Sequence, residues 1–283
     1  MTRQGWSVRL AAVVLAAAVA GFAPLAMRAQ SRAGRGAPPA PGAGSFRPLK
    51  VLMLGQDQRH HDSAALYQVI APVFARKGIQ ITHVNTPAEA LVPETLANYD
   101  ALMLYANHTK IEPEQEKALL DFVAAGKGLV VLHCASFMFQ NSEPFIALVG
   151  GQFKSHGTGE FRAEVVQPEH PIMKGFENFT TPWDETYVHT KHNPVDRVVL
   201  MERVDDKGRE PYTWVRTQGK GRVFYTAFGH DARTWNVPGF QDLVERGTVW
   251  AVNDAARAAW HEPAMPKVVY VDGLAVPNYE NRN

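Results

Sequence analysis

The chain has 283 residues, 46% of them hydrophobic and 20% charged, a globular composition long enough to bury one large core. Lys plus Arg number 29 against 28 Asp plus Glu, so there is no basic excess to hold nucleic acid. Cys134 is the single cysteine, which excludes an intramolecular disulfide.

Taken in chain order, the sequence opens with Arg3 and Arg9 flanking an uninterrupted apolar run, Leu10 to Ala20, extended by Phe22 to Met27. Small residues follow, with a cleavage position after Ala29. The pattern predicts a secretory leader over 1–29, a periplasmic or secreted destination, and no stable membrane association after cleavage. An uncleaved anchor is the alternative, since the run approaches the roughly 18 apolar residues of a spanning helix. No cysteine follows the run and the two arginines are not adjacent, which argues against lipoprotein and twin-arginine routes. Residues 30–48, rich in Ala, Gly, Pro and Arg, read as a disordered linker.

From Leu49 strands and helices alternate. Val51-Leu52-Met53-Leu54 is fully apolar, as in a parallel strand buried on both faces. Ser63 predicts an N-cap for a helix over 64–77, with Leu66, Val69, Ile70, Val73 and Phe74 on one face, a kink at Pro72 and a stop at Gly78. Residues 79–84 read as a second strand, 86–87 and 93–98 as short helical pieces, and 101–105 as a third strand. A helix over 112–125 opens on Pro113 and ends at Gly126, and 128–132 is a fourth strand. This order, with short connections, predicts an α/β fold: a mainly parallel sheet with helices on both sides. In the second half, 160–167, 197–203, 212–217 and 222–227 read as strands, Gln218 to Gly221 as a hairpin turn and 238–253 as a closing helix. The folded domain is expected over 49–260, followed by a surface tail over 261–283.

The apolar runs end on polar clusters: His60 and His61 after the first, Asn107 and His108 after the third, His133 and Cys134 after the fourth, His230 and Asp231 after the last. In an open α/β sheet ligands bind outside the carboxyl ends of the strands, so these imidazoles predict one polar pocket. His133 is a candidate acid/base or oxyanion donor. Cys134 stands where a nucleophile elbow would place its nucleophile. However, Leu132 and Ser136 replace the small flanking residues of G-x-S-x-G, so Cys134 reads as a buried small residue. Gly150 and Gly151 permit a turn that returns His156 over the sheet. Trp183, Asp184, Glu185 and Tyr187 combine aromatic faces with two carboxylates, a set suited to sugars or, equally, to a packed surface turn. His189 and His192 are possible metal ligands. No H-E-x-x-H pattern accompanies them, and the sequence requires no cofactor, though a divalent metal such as zinc is compatible with it. Neither G-x-G-x-x-G nor a phosphate-binding G-x-x-x-x-G-K-[ST] occurs, which argues against dinucleotide and nucleoside-triphosphate enzymes.

Five segments in this order, Gly126 to His133 (GKGLVVLH), Gly150 to His156 (GGQFKSH), His170 to Phe176 (HPIMKGF), Asp184 to Tyr187 (DETY) and Gly221 to His230 (GRVFYTAFGH), resemble the ThuA-like trehalose-utilisation family over about residues 49–253. The resemblance implies a flavodoxin-like three-layer sandwich similar to class I glutamine amidotransferases, and a role in carbohydrate catabolism beside oxidoreductases that make 3-keto sugars. By motif position it implies catalytic roles for His133, His156, Glu185 and His230, with His60, His61, Trp183, Asp184 and Tyr187 binding substrate. The amidotransferase Cys-His-Glu triad does not carry over, because the elbow glycines are missing. The expected partner is a small sugar, transformed by histidine and carboxylate acid–base chemistry. A non-catalytic carbohydrate-binding protein and a Cys134 hydrolase are the alternatives.

Overall fold

The computed structural model describes residues 47–260; the leader, the linker up to residue 46 and the tail over 261–283 lie outside the described residues. Four short strands come first: β1 (Leu49–Leu54), β2 (Ile79–Val84), β3 (Ala101–Leu104) and β4 (Gly128–Leu132), with β2 at the edge of the sheet and the other three inside it. Every residue of β3 and β4 is buried, as in a parallel sheet covered on both faces. Between them run α1 (Ser63–Arg76), α2 (Pro87–Ala90), α3 (Pro93–Leu96) and α4 (Pro113–Ala124). α1 continues through Pro72. Its cap is Asp62, whose carboxylate accepts from the Ala65 N–H, and not Ser63. The Ser63 hydroxyl is held instead by the backbone of Gln56 near the start of the loop after β1.

A turn of 3-10 helix (His133–Phe137) follows β4 directly and leads to α5 (Glu143–Val149). Then come β5 (Gln152–Phe161), β6 (Glu164–Val165), β7 (Thr181–Thr190), β8 (Arg197–Asp205), β9 (Gly208–Gln218) and β10 (Gly221–Thr226). The chain closes with α6 (Ala232–Trp235), α7 (Pro238–Ala251) and α8 (Asp254–Ala259). The main sheet has the order β2-β1-β3-β4-β10-β9-β8-β6. β2, β1, β3, β4 and β10 are parallel, while β9 is antiparallel to β10 and to β8, and β6 is antiparallel to β8. The α/β class with a mainly parallel sheet is therefore as expected. No helix among the described residues is long and apolar enough to cross a membrane.

Two segments differ from the expectation. Residues 152–161, expected as a turn followed by a strand from 160, form one ten-residue strand, β5. It pairs antiparallel with β7 as a separate two-stranded ribbon, setting His156 opposite Tyr187 and Thr158 opposite Glu185. The Trp183–Tyr187 cluster accordingly lies in the middle of a strand and not on a surface turn.

Candidate functional site

β1 lies between β2 and β3 in the sheet, so the strand order changes direction there, and the carboxyl ends of β1, β3, β4 and β10 open on one edge. The loop after β1 brings His61 to that edge. The residue after β4 is His133. The loop after β10 turns at Gly229, whose φ of 119° is a glycine conformation, and delivers His230. The β5–β7 ribbon closes over this edge and contributes Phe153, His156, Glu185 and Tyr187. Together with Gln58, His60, Asn107 and Phe137 these residues line a cavity of about 390 Å³. That volume lies in the range of small-molecule sites, about 300–1,000 Å³. A larger groove beside α7, about 620 Å³, carries no histidine.

The floor of the cavity is a cluster of three imidazoles around one carboxylate. His133 Nε2 lies 3.2 Å from Glu185 Oε2, and His230 Nδ1 lies 3.1 Å from Glu185 Oε1. His61 packs edge-on against both rings, with centroids 5.2 Å from His133 and 4.9 Å from His230. One donor atom from each of these four residues falls within 4.8 Å of every other. His61 is 8% exposed and His133 not at all. Close as these contacts are, they are not aligned as hydrogen bonds: both ring nitrogens of His61, Nε2 of His133 and Nδ1 of His230 have no partner. Buried polar atoms are normally satisfied, so orphaned nitrogens on three histidines gathered around one carboxylate mark a built site. These four residues are the ones that could hold a metal.

The electrostatics follow from the packing. Burial, with His133 and His230 beside it, pushes the His61 pKa down to about 3 and keeps that ring neutral. Burial opposes ionisation of Glu185, but contacts with His133 and His230 outweigh it and hold the carboxyl below its usual range. Burial likewise works against charging His230, and the Glu185 carboxylate reverses this and raises it.

His133 has φ 47°, a left-handed backbone that a side chain other than glycine adopts only when its surroundings impose it. The strained post-strand position of an elbow is therefore present, but His133 occupies it and Cys134 does not. Two contacts fix the imidazole: Nδ1 lies 2.7 Å from the Ala227 carbonyl and the ring stacks on Tyr187 at 4.3 Å; the Ser136 hydroxyl donates to the His133 main-chain carbonyl. Cys134 is fully buried, and burial pushes its thiol pKa well up, so it offers no thiolate.

The expected site residues divide into groups. His61, His133, Glu185 and His230 form the floor. His156 stands at the wall, its side chain 38% exposed and its Nε2 3.5 Å from Glu185 Oε1. His60 and Tyr187 line the cavity. Asp184 and Trp183 do not. The Asp184 carboxylate is fully buried and accepts from the backbone N–H groups of Glu185, Gly229 and His230 and from the Thr234 hydroxyl. It positions two floor residues. One face of Trp183 is covered by the Arg233 guanidinium at 3.8 Å.

His189 and His192 stay outside the cluster. His189 Nδ1 bonds Glu210 and its Nε2 bonds the Tyr225 hydroxyl, while His192 Nδ1 accepts from Arg197. Sequence reasoning did not find Phe137, Phe153 or Tyr105. The Tyr105 hydroxyl reaches the Gly229 and His230 carbonyls and anchors the loop that carries His230. Its place one residue past β3, at the same sheet edge as the histidines, was the available signal.

Comparison with known proteins agrees with this architecture. The profile of the ThuA family, described as trehalose utilisation, matches residues 50–251. A ThuA-like protein from Parabacteroides merdae superposes with a TM-score of 0.62 at 20% identity, covering 72% of this chain and 90% of that one. One from Bacteroides uniformis gives 0.60 at 19% identity, covering 75% and 94%. A cytoplasmic protein from Salmonella typhimurium gives 0.53 at 14% identity, covering 72% and 100%. No curated protein matches the sequence. With the family profile spanning most of the chain and the same α/β architecture in these neighbours, the chain belongs to the ThuA family.

Proposed function

We propose that this chain is an exported enzyme of carbohydrate utilisation that acts on a sugar carrying a ketone, of the 3-keto-glycoside class, by proton transfer at the carbon beside the carbonyl. One observation carries the reading: a buried three-histidine, one-carboxylate floor beneath a cavity whose walls alternate aromatic faces (Phe137, Phe153, Tyr187) with polar groups (Gln58, Asn107, His60, His156). The aromatic faces suit sugar C–H groups and the amides suit hydroxyls. His156 is an exposed wall imidazole whose Nε2 lies 3.5 Å from Glu185 Oε1, and it is the proton carrier. It takes the proton from the carbon between the ketone and the glycosidic carbon. The C–H electron pair forms the new C=C bond while the carbonyl pair moves onto oxygen, and the floor stabilises that oxygen. Transfer of the hydroxyl proton on the deprotonated carbon to the enolate oxygen, with return of the carbon-bound proton to the former carbonyl carbon, moves the ketone by one position and isomerises the sugar. Collapse of the enolate with departure of the glycosidic oxygen, which takes the proton from His156, cleaves the glycoside without adding water.

The test is to incubate the full chain with 3-keto-trehalose and related keto-glycosides in D2O and follow them by NMR. Exchange of the proton beside the ketone, followed by product, is expected. His156→Ala should lower kcat/KM by about 10²–10⁴-fold, the usual contribution of a positioned acid–base group. Tight binding of unmodified disaccharide with neither exchange nor product would overturn the reading in favour of a carbohydrate-binding protein.

A further inference from the structure

We infer that His61, His133, Glu185 and His230 bind a single divalent transition-metal ion at the floor of the cavity. This deepens the proposed function, whose enolate-stabilising group it identifies, but it stands on geometry independent of any substrate.

His133 Nδ1 lies 2.7 Å from the Ala227 carbonyl, which can only accept, so Nδ1 carries a hydrogen. The lone pair of the neutral ring is then on Nε2, 3.2 Å from Glu185 Oε2. Two acceptors face each other at that distance inside a site closed to water on the His133 side. Something positive must stand between them. A proton on His133 does not serve well, because Nε2 is not aligned to donate to the carboxylate. A proton also leaves the rest of the cluster unexplained, since the ring nitrogens of His61 and Nδ1 of His230 are orphaned beside it. A cation would take one donor atom from each of the four residues, leaving only the second His61 nitrogen without a partner.

The spacing and the donor types agree. Ligand atoms about 2.0–2.1 Å from an ion stand roughly 3.3 Å apart in a tetrahedron. His133 Nε2 stands 3.2 Å from Glu185 Oε2 and His230 Nδ1 3.1 Å from Oε1, each near that spacing, and one donor atom from each of the four residues lies within 4.8 Å of the others. Three imidazoles and one carboxylate favour zinc, iron, cobalt or manganese over calcium or magnesium, which take oxygen ligands. The supporting residues are those a metal site requires. The Ala227 carbonyl fixes the His133 tautomer, and Asp184 holds the backbones of Glu185 and His230. Glu185 also borders the cavity, so a bound ion would face it and could supply Lewis acidity to a carbonyl or hydroxyl oxygen.

The experiment uses the full chain without a histidine tag, stripped with chelator and titrated with zinc, manganese or cobalt in the absence of sugar. Uptake of one equivalent is expected, by calorimetry and elemental analysis, with visible ligand-field absorption for cobalt. Glu185→Gln, which preserves side-chain shape, and His61→Ala should each weaken binding by at least about 100-fold, since even supporting residues typically change metal affinity by 10–100-fold. His192→Ala, outside the cluster, should leave binding unchanged. Circular dichroism shows whether each variant is folded. Absence of saturable uptake by the stripped chain, or uptake undiminished in both folded cluster variants, would overturn the inference. Metal uptake without turnover of keto-glycosides would refute the substrate reading alone. Turnover by rigorously metal-free protein would refute the metal alone.

Discussion

Asp184 offers a sharp test of how the site is held together, because its residue type suggests a sugar ligand and its surroundings assign it a structural role. Its Oδ1 accepts from the N–H groups of Glu185 at 2.8 Å and His230 at 3.0 Å. Its Oδ2 accepts from the Gly229 N–H at 2.8 Å and the Thr234 hydroxyl at 2.9 Å. In Asp184→Asn the amide oxygen can keep the first pair, leaving an NH2 group against the Gly229 N–H. The Thr234 hydroxyl can rotate to accept, but the backbone donor cannot. One buried N–H without a partner costs about 1–3 kcal/mol, and loss of the anionic acceptor weakens the bonds that remain by about 1 kcal/mol. The expected destabilisation is therefore roughly 2–4 kcal/mol. With a urea slope of about 2 kcal/mol per molar, the unfolding midpoint should fall by about 1–2 M. Because the bonds to Glu185 and His230 loosen together, turnover and metal affinity should fall with it. An unfolding midpoint within about 0.3 M of the parent, combined with a raised KM for sugar, would refute this reasoning and make Asp184 a substrate contact.

Other consequences are open to direct measurement. Cys134→Ser should retain turnover, and the folded chain should resist thiol reagents that label it in denaturant, because the side chain is fully buried and held as the thiol. Trp183→Phe should change sugar affinity by less than about threefold, well under the 1.4 kcal/mol of a tenfold change, since Arg233 already occupies one indole face. Acid should destabilise the fold in two stages. Burial lowers the pKa of His189, so the folded state resists a proton that the unfolded state takes up below about pH 6.5. Glu210 is held low by His189 against the effect of burial, so its contribution is present above its unfolded value of about 4.5 and is lost as pH falls further. Stability measured against pH should thus decline below about 6.5, and in His189→Gln the decline between about 6.5 and 4.5 should become shallower, the remainder coming from buried His61; an unchanged slope would rule out His189 as a contributor. Exported material should begin at Gln30, as intact mass will show, whereas a mass starting at Met1 would favour the anchor.

Much of the fold was legible because burial writes itself into composition. β3 and β4 throughout, and β1 from Val51 to Leu54, are apolar since both faces are covered, and they read as short continuous apolar runs. β5 was partly missed for the opposite reason. It is exposed along much of its length and contains Gly157 and Gly159, so neither an apolar run nor a period of two marks it. Its partner β7 was hidden by Trp183 to Tyr187, which reads as chemistry before it reads as a strand. The floor histidines could be named because strand ends in a parallel sheet converge on one edge, a rule of topology needing no side-chain detail. The roles of Asp184 and Trp183 could not. Whether a carboxylate meets substrate or backbone N–H groups depends on where the loop after β10 turns, and that is set some 45 residues downstream, at Gly229. The missing elbow glycines correctly mark Cys134 as a packed side chain. They carry no sign that the strained backbone survives one position earlier, under His133.

The division of the cavity between sheet and ribbon has an evolutionary corollary. Its floor is made of residues whose loss unbalances buried charge or strands backbone donors, so most changes there carry a folding penalty as well as a chemical one. Phe153 sits on the partly solvated β5 arm, which apart from His156 can be recoloured cheaply. Under selection for a new sugar, variation should accumulate along that arm while the sheet edge stays frozen. Relatives with different diets would then share one reaction centre and differ in the wall around it.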